Sequence, residues 1–312
     1  MKVGLTGVRI LATGGSGFLG RALCTRLVAG GAEVHVLARS RRPESFPANR
    51  WWRGDVADPS TVSRLVDELE PSGIFHLAGR ATGAPDRALM REMLGVHVMG
   101  TANVLDAAAQ LSRPPFVVLV GSMAEPGPGG QELAASPYAA TKAAAAGVAE
   151  FYAHICDVPV VRARLFMVYG PGDTQLTKAV PHLMLATIRN ERPRFGAGVL
   201  PLDWTFIDDA VDGLLAAAFA RPTARVDIGT GRLATLREIV GIVSELSQTA
   251  VEPQYGAMVD RPFVTAIRAD TEQAARHIEW RAKVGLEDGL SRTFEWFRSA
   301  WAAGEFAPGG AG

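Results

Sequence analysis

The sequence predicts an α/β fold, a doubly wound parallel sheet covered by helices on both faces. Two observations carry that expectation. Short, wholly apolar runs, the mark of strands buried on both sides, alternate with stretches of helical apolar spacing. At the first junction between them stands a glycine-rich turn, Thr13-Gly14-Gly15-Ser16-Gly17-Phe18-Leu19-Gly20.

The first run, Val8 to Ala12, reads as a short buried strand, and Arg21 to Ala29 follows with helical spacing at Leu23, Leu27 and Val28. A glycine turn between such elements lets backbone N–H groups approach a pyrophosphate. No Cβ stands in the way, and the helix N-terminus carries partial positive charge, the Rossmann-type arrangement. Two spacings fit the same residues, Gly14-x-x-Gly17-x-x-Gly20 and Gly15-x-Gly17-x-x-Gly20, and the loop alone does not choose between them. Gly30-Gly31 stops the helix. Val34 to Ala38 is a second strand, ending in Arg39-Ser40-Arg41-Arg42-Pro43. In dinucleotide folds the end of this strand faces the adenosine ribose, where a carboxylate suits the 2′-OH of NAD and an arginine suits a 2′-phosphate. No acid stands there, so Arg39 favours NADP(H) over NAD(H); the alternative is a solvated basic turn.

After Trp51-Trp52-Arg53-Gly54-Asp55-Val56-Ala57-Asp58, an amphipathic helix is expected over Ser60 to Leu69. Gly73 to Gly79 reads as a buried strand whose small final residues let a flat ring or ribose lie against backbone. A loop with Arg80, Thr82 and Arg87 leads to a helix near Val98 to Ala109, and Phe116 to Val120 is a β-branched strand ending in Gly121-Ser122. Pro137 then opens a helix that runs from Tyr138 to about His154. Its spacing of four puts Tyr138 and Lys142 on one face, where an ammonium favours the phenolate and lowers a pKa ordinarily about 10. The alanines and glycine of Ala143 to Gly147 suit a close helix contact, hence a homodimer, or simply good helix propensity. Val158 to Phe166 gives another strand, followed by the turn Tyr169-Gly170-Pro171-Gly172-Asp173. Beyond it come helices near Leu176 to Arg189, Asp208 to Ala220 and Leu236 to Ser247, with a short strand at Val226 to Ile228. A flexible tail is expected over 301–312.

Lysine plus arginine equals aspartate plus glutamate, 32 each in 312 residues, so no net field attracts nucleic acid or an anionic membrane. Cys24 and Cys156 read as free buried thiols, and no Cys/His spacing suggests a metal. With no signal-peptide core at Met1 to Gly7 and no apolar run of membrane length, a cytoplasmic protein is expected.

The ordered set of motifs resembles the extended short-chain dehydrogenase/reductase family, the group of nucleotide-sugar epimerases, dehydratases and reductases. It comprises Thr13-Gly14-x-x-Gly17-Phe18-Leu19-Gly20, Gly54-Asp55-Val56, His76-Leu77-Ala78-Gly79, Gly100-Thr101-x-Asn103-Val104-Leu105, Ser122, Tyr138-x-x-x-Lys142, Tyr169-Gly170-Pro171-Gly172 and Asp208-Asp209, within a span of roughly Ile10 to Arg298. The resemblance selects the first of the two glycine spacings. It implies that Gly14, Ser16, Gly17, Phe18, Leu19 and Gly20 cradle the cofactor and that Asp55, beside Val56, receives the adenine amino group. It further implies that Leu77, Ala78 and Gly79 line the cofactor and that Leu165 lies near the nicotinamide. A Rossmann domain over 8–170, with 203–231 returning to it, would carry a smaller C-terminal α/β substrate-binding lobe over 171–202 and 232–300. Tyr138 would then exchange a proton with the oxygen at the reacting carbon, Ser122 would hydrogen-bond that oxygen, and Lys142 would hold the ribose and tune the tyrosine.

Several positions depart from the family's pattern. The aspartate and glutamate that its 4,6-dehydratases use for water elimination are here Met123 and Ala124, which argues against a dehydratase. Glu125, one position on, reads as a solvated turn residue. Met167 and Leu202 replace an asparagine and an arginine that support nucleotide-sugar substrates in the family. Against that, Asp260-Arg261-Pro262-Phe263 looks like the segment of the 4-keto-6-deoxyhexose reductases in which an arginine grips diphosphate; the alternative for Arg261 is a surface turn. His97 stands where the family has an asparagine, either in a water relay to Lys142 beside the cofactor or as a satisfied polar group. Arg80, Met123, Met167 and Arg261 are the residues expected toward substrate. Taken together these favour NADPH-dependent reduction of a nucleotide-linked 4-keto-6-deoxy sugar. The alternatives are an NAD-dependent nucleotide-sugar 4-epimerase and a reductase of a non-nucleotide carbonyl compound.

Overall fold

The computed structural model describes residues 5–219, 225–249, 252–260 and 263–306. Its centre is a seven-stranded sheet in the order β3-β2-β1-β4-β5-β6-β9, every neighbouring pair parallel. The strands are β1 (Arg9–Thr13), β2 (Glu33–Ala38), β3 (Arg50–Arg53), β4 (Gly73–His76), β5 (Phe116–Ser122), β6 (Val160–Leu165) and β9 (Arg225–Ile228). Parallel neighbours need crossovers. Helices α1 (Phe18–Ala29), α2 (Pro59–Leu69), α4 (Gly100–Gln110), α5 (Pro137–Ile155) and α7 (Ile207–Ala218) supply them, with the four-residue α3 (Met90–Met93) leading toward α4.

The period of two along each strand divides the core into two layers. Ile10, Ala12, Val118 and Val120 pack with Leu23 and Leu27 of α1 and with Val211 and Leu214 of α7. Leu11, Val117 and Leu119 face the other way, onto Val62, Leu65 and Val66 of α2, Val104 and Leu105 of α4 and Ala149 of α5. Helix starts follow ordinary capping chemistry. Asp58 accepts from the Ser60 amide with Pro59 at the first helical position, and Ser136 accepts from the Ala139 amide with Pro137 in the same place.

A second, three-stranded sheet stands beyond the C-terminal ends of the main strands in the order β10-β8-β7. It contains β7 (Met167–Tyr169), β8 (Leu202–Phe206) and β10 (Leu233–Ala234), and α6 (Ala179–Ile188), α8 (Leu236–Ser247), α9 (Thr271–Ile278) and α10 (Leu286–Ala302) complete the chain. Residues 203–231 thus divide: α7 and β9 join the main body, whereas β8 pairs in the smaller sheet. Residues 301–306, expected in a flexible tail, are held. Phe306 stacks on Phe297 with ring centroids 5.4 Å apart, and its carbonyl accepts from Arg189 at 3.0 Å. Residues 307–312 lie outside the described residues.

Candidate active site

The glycine turn resolves into distinct tasks. Gly14 has φ +69°, and a Cβ there would come 2.6 Å from the Ala78 amide nitrogen; a Cβ on Gly20 would overlap the Gly14 carbonyl oxygen. These two glycines are demanded by the protein's own packing, as is Gly15, whose Cβ would press on Val36 at 2.8 Å. Gly17 differs. It is the N-cap of α1 with no side-chain cap, and a Cβ there would meet nothing closer than the Gly14 carbonyl oxygen at 3.5 Å. Its bare backbone, with exposed Ser16 beside it, leaves the helix N-terminus open. The residues present therefore fit a dinucleotide pyrophosphate. Phe18 and Leu19 are half-buried, and the Lys178 ammonium lies 5.4 Å from the Phe18 ring centre.

The rest of the expected cofactor edge lines the same ends of the strands. Arg39 follows β2 exposed, with no hydrogen bond among the described residues, whereas Arg42 is used structurally, donating to the carbonyls of Phe46 and Ala48. Asp55 accepts from the Ala57 amide at 2.9 Å with one oxygen, and buried Val56 accepts from Asn103 at 3.0 Å. After β4, the Leu77 amide donates to the Thr13 carbonyl and the Ala78 amide to the Thr13 hydroxyl, so that β4 and the glycine turn form one wall. Gly79 continues that wall. Arg80 is exposed and pairs with Glu92 at 3.3 Å.

Ser122 ends β5 and Leu165 pairs with it on β6. Tyr138 and Lys142 rise from α5 against them. The Lys142 ammonium donates to the Val120 carbonyl at 2.7 Å, and burial pulls its pKa down to about 8, partly opposed by Glu125. Burial pushes the Tyr138 phenol up to about 12, with the Ser122 hydroxyl acting in the opposite direction and Glu125 reinforcing the rise. The expectation that Lys142 lowers the tyrosine is not met: the effects that act on the phenol are burial, Ser122 and Glu125, and burial is the largest of them.

His97 is buried in a π-helical segment, Leu94–Met99, between α3 and α4. Thr141 donates its hydroxyl hydrogen to the Pro137 carbonyl at 2.8 Å, so it accepts from His97 Nδ1, 2.7 Å away. That leaves Nε2 an acceptor, buried and without a partner, against Gly79, where a Cβ would stand 2.5 Å from it. Burial, with the Lys142 charge next, lowers the imidazole to about 3 and keeps it neutral.

Glu125 is a second correction. Instead of a solvated turn position, its carboxylate curls back to accept the Ser122 amide at 2.6 Å, and burial holds its pKa above the usual range. Sequence reasoning also missed Thr141, which fixes the His97 tautomer, and the β7 and β8 strands that carry Met167 and Leu202. The only sequence signal for Glu125 was its spacing of three from Ser122, which any turn shares. Met123, Phe166, Ile267 and Ala269 form an apolar cluster against which Met167 and Leu202 pack. Arg261 lies outside the described residues; its neighbour Asp260 accepts from the Ala197 amide at 3.0 Å.

The parallel sheet, the open glycine turn and the neighbouring serine, tyrosine and lysine define a dinucleotide-dependent oxidoreductase of the short-chain type. A family model described as the NAD dependent epimerase/dehydratase family matches residues 10–229, and the chain belongs to that family, within the extended short-chain dehydrogenase/reductase group of nucleotide-sugar enzymes. Over 335 residues it is 28% identical to a probable dTDP-glucose 4,6-dehydratase of Sinorhizobium fredii, covering 93% of each chain. It is 29% identical to the dTDP-6-deoxy-L-talose 4-dehydrogenase (NAD(P)(+)) of Kitasatospora kifunensis, covering 96% of each. The solved structure of MoeE5 in complex with UDP-glucose and NAD superposes with a TM-score of 0.83 at 31% identity, over 94% of this chain and 99% of that one. The protein is an NAD(P)-dependent oxidoreductase-type enzyme. Among the described residues no helix is long and apolar enough to cross a membrane.

Proposed function

We propose that the enzyme reduces the keto group of a nucleotide-linked 4-keto-6-deoxy sugar with NADPH. The observation that carries this reading is the apolar cluster beside Ser122. Met123 directly follows the serine, Met167 lies two residues beyond Leu165, and both pack with Phe166, Leu202 and Ile267. Met123 and Ala124 supply no acid or base for eliminating water. The apolar wall suits a substrate edge bearing methyl or methylene instead of hydroxyl, because a hydroxyl buried there would lose its water without gaining a partner.

The dinucleotide, when bound, supplies the hydride. The Gly17 amide donates to the Gly14 carbonyl at 3.2 Å and shapes the turn, so Ser16 and the first residues of α1, Phe18 and Leu19, would hold its pyrophosphate at the helix N-terminus, Asp55 the adenine, and Arg39 the 2′-phosphate. Leu77, Ala78, Gly79 and Leu165 would line it, and His97 and Lys142 would stand beside its ribose. Tyr138, kept as a phenol, donates its proton to the substrate oxygen as negative charge develops there, and Ser122 donates a second hydrogen bond to the same atom. Arg80 and Arg261 are assigned to the substrate's polar end. A homodimer contact is assigned to α5 as part of this proposal; the supporting feature is the exposed stripe of Ala144, Gly147, Phe151 and Ile155.

A 4-epimerase needs the same serine, tyrosine and lysine, and the likeness to a structure holding UDP-glucose and NAD supports that second reading. The test mixes purified protein with NADPH or NADH and dTDP- or GDP-4-keto-6-deoxyhexose and follows nicotinamide absorbance. Oxidation of NADPH is expected, and the 6-hydroxy analogue should react about 5- to 150-fold less efficiently, the cost of one unpaired buried hydroxyl. No oxidation by any such sugar refutes the reductase; firmly bound NAD with interconversion of 4-epimers selects the epimerase. Oxidation of NADPH by simple ketones alone selects a non-nucleotide carbonyl substrate.

A further inference from the structure

Beneath the candidate active site, between β5 and α5, there is a cavity of about 10 Å3, the space of one water, where Glu125, Lys142 and Arg162 converge. Small residues make it: Ala145 and Ala146 on the helix, and Gly121 on the strand, where a Cβ would come 2.7 Å from Glu125 Oε1. Both charged side chains grip the end of β5 on either side of that glycine. Lys142 donates to the Val120 carbonyl at 2.7 Å, and Glu125 accepts from the Ser122 amide at 2.6 Å.

The surrounding charges are largely spoken for. Arg162 of β6 pairs with Glu150 of α5 at 2.8 Å, and Arg164 of β6 with Asp227 of β9 at 2.5 Å. Arg225 of β9 donates to the Pro128 carbonyl. His76 and His97, which also face Lys142, are neutral, and Tyr138 is a phenol. Among the described residues, Glu125 is thus the carboxylate left to balance the buried lysine.

Resting on the functional reading above, we propose that Glu125 is a positioning residue of this site: its carboxylate fixes the Ser122 peptide and supplies the counter-charge that keeps the Lys142 ammonium charged beneath Tyr138. Remove that charge and desolvation acts on the lysine unopposed. Remove the acceptor as well and the Ser122 amide is left unpaired at the strand end that aims its hydroxyl.

The test reads the lysine directly. The chain has only Lys2, Lys142, Lys178 and Lys283, so 13C-lysine labelling gives few Cε signals, and Lys142→Arg assigns one by its loss. In the wild-type protein the Lys142 signal should titrate near pH 8. In Glu125→Gln, which keeps an acceptor for the Ser122 amide, its midpoint should fall by about one pH unit while Lys178 and Lys283 stay put. The alkaline limb of kcat/KM should fall with it, and Glu125→Ala should lower kcat at every pH. An unmoved Lys142 midpoint in folded Glu125→Gln overturns the proposal, whatever the substrate proves to be. A moved midpoint in a protein that reduces no carbonyl compound sustains the pairing and refutes the functional reading instead. If Glu125→Gln does not fold, the wild-type Lys142 signal must show a small second inflection where Glu125 titrates, and its absence overturns the pairing.

Discussion

Two buried histidines make the fold of the site sensitive to acid, by an amount that can be worked out. Burial lowers His76 from 6.5 to about 3, and His97 likewise, with the Lys142 charge as the next cause in both. His76 ends β4 with Nδ1 2.7 Å from the Thr13 hydroxyl, and His97 rests on Gly79 just beyond. Below pH 6.5 the unfolded chain takes up protons on both that the folded chain refuses. Stability is therefore full above the unfolded value and is lost as pH falls from 6.5 toward 3, at about 1.4 kcal/mol per pH unit for each histidine. Between pH 7 and pH 5 the pair should cost about 4 kcal/mol. Glu125 and Asp209, raised by burial, titrate in the opposing sense, so the informative quantity is a difference between proteins. Urea unfolding at pH 7 and pH 5, on wild type and on the double variant His76→Asn, His97→Asn, measures it. The wild type should lose about 4 kcal/mol more than the variant over that interval. Equal losses would refute the assignment of these groups as neutral and buried.

Two further outcomes are expected. Arg39→Asp should raise KM for NADPH more than KM for NADH, because the exposed Arg39 side chain has no partner to lose among the described residues; equal effects remove the basis for an NADP preference. Asp227→Asn should destabilise the fold by about 3–5 kcal/mol, since it breaks a buried two-pronged pair with Arg164 and weakens the acceptor for the Asp270 amide; a thermal midpoint unchanged within a degree or two would contradict that.

Much of the main sheet was legible because strands buried on both faces are continuous apolar runs and need no partner to be recognised. What escaped was short or polar. β3 reads Arg-Trp-Trp-Arg, an edge strand with no apolar run, and β8 reads Leu-Asp-Trp-Thr-Phe, whose buried Asp203 looks like a break until the Thr230 and Gly231 amides are found bonded to it. α9 and α10 were missed for a related reason: each scatters a few apolar residues among many polar ones, and the buried ones, Ala274 and Ile278 in α9 and Leu286, Leu290 and Phe297 in α10, are covered by parts of the fold distant in sequence.

The site divides along the same line. Gly14, Gly17, Gly20, Ser122, Tyr138 and Lys142 stand at fixed spacings within single elements or at the ends of strands, so local chain geometry sets their direction and the sequence by itself determined them. The state in which they work depended on residues distant in the chain. Only the tertiary structure put His97 against Gly79 and against the Tyr138 ring, desolvated that phenol, and gathered Met123, Met167, Leu202 and Ile267 into one wall. Only there, too, did Glu125 leave solvent for the Ser122 amide. Burial is a property of what packs around a group, and the proton affinity of a tyrosine, a lysine or a glutamate follows that packing, not its place in the sequence.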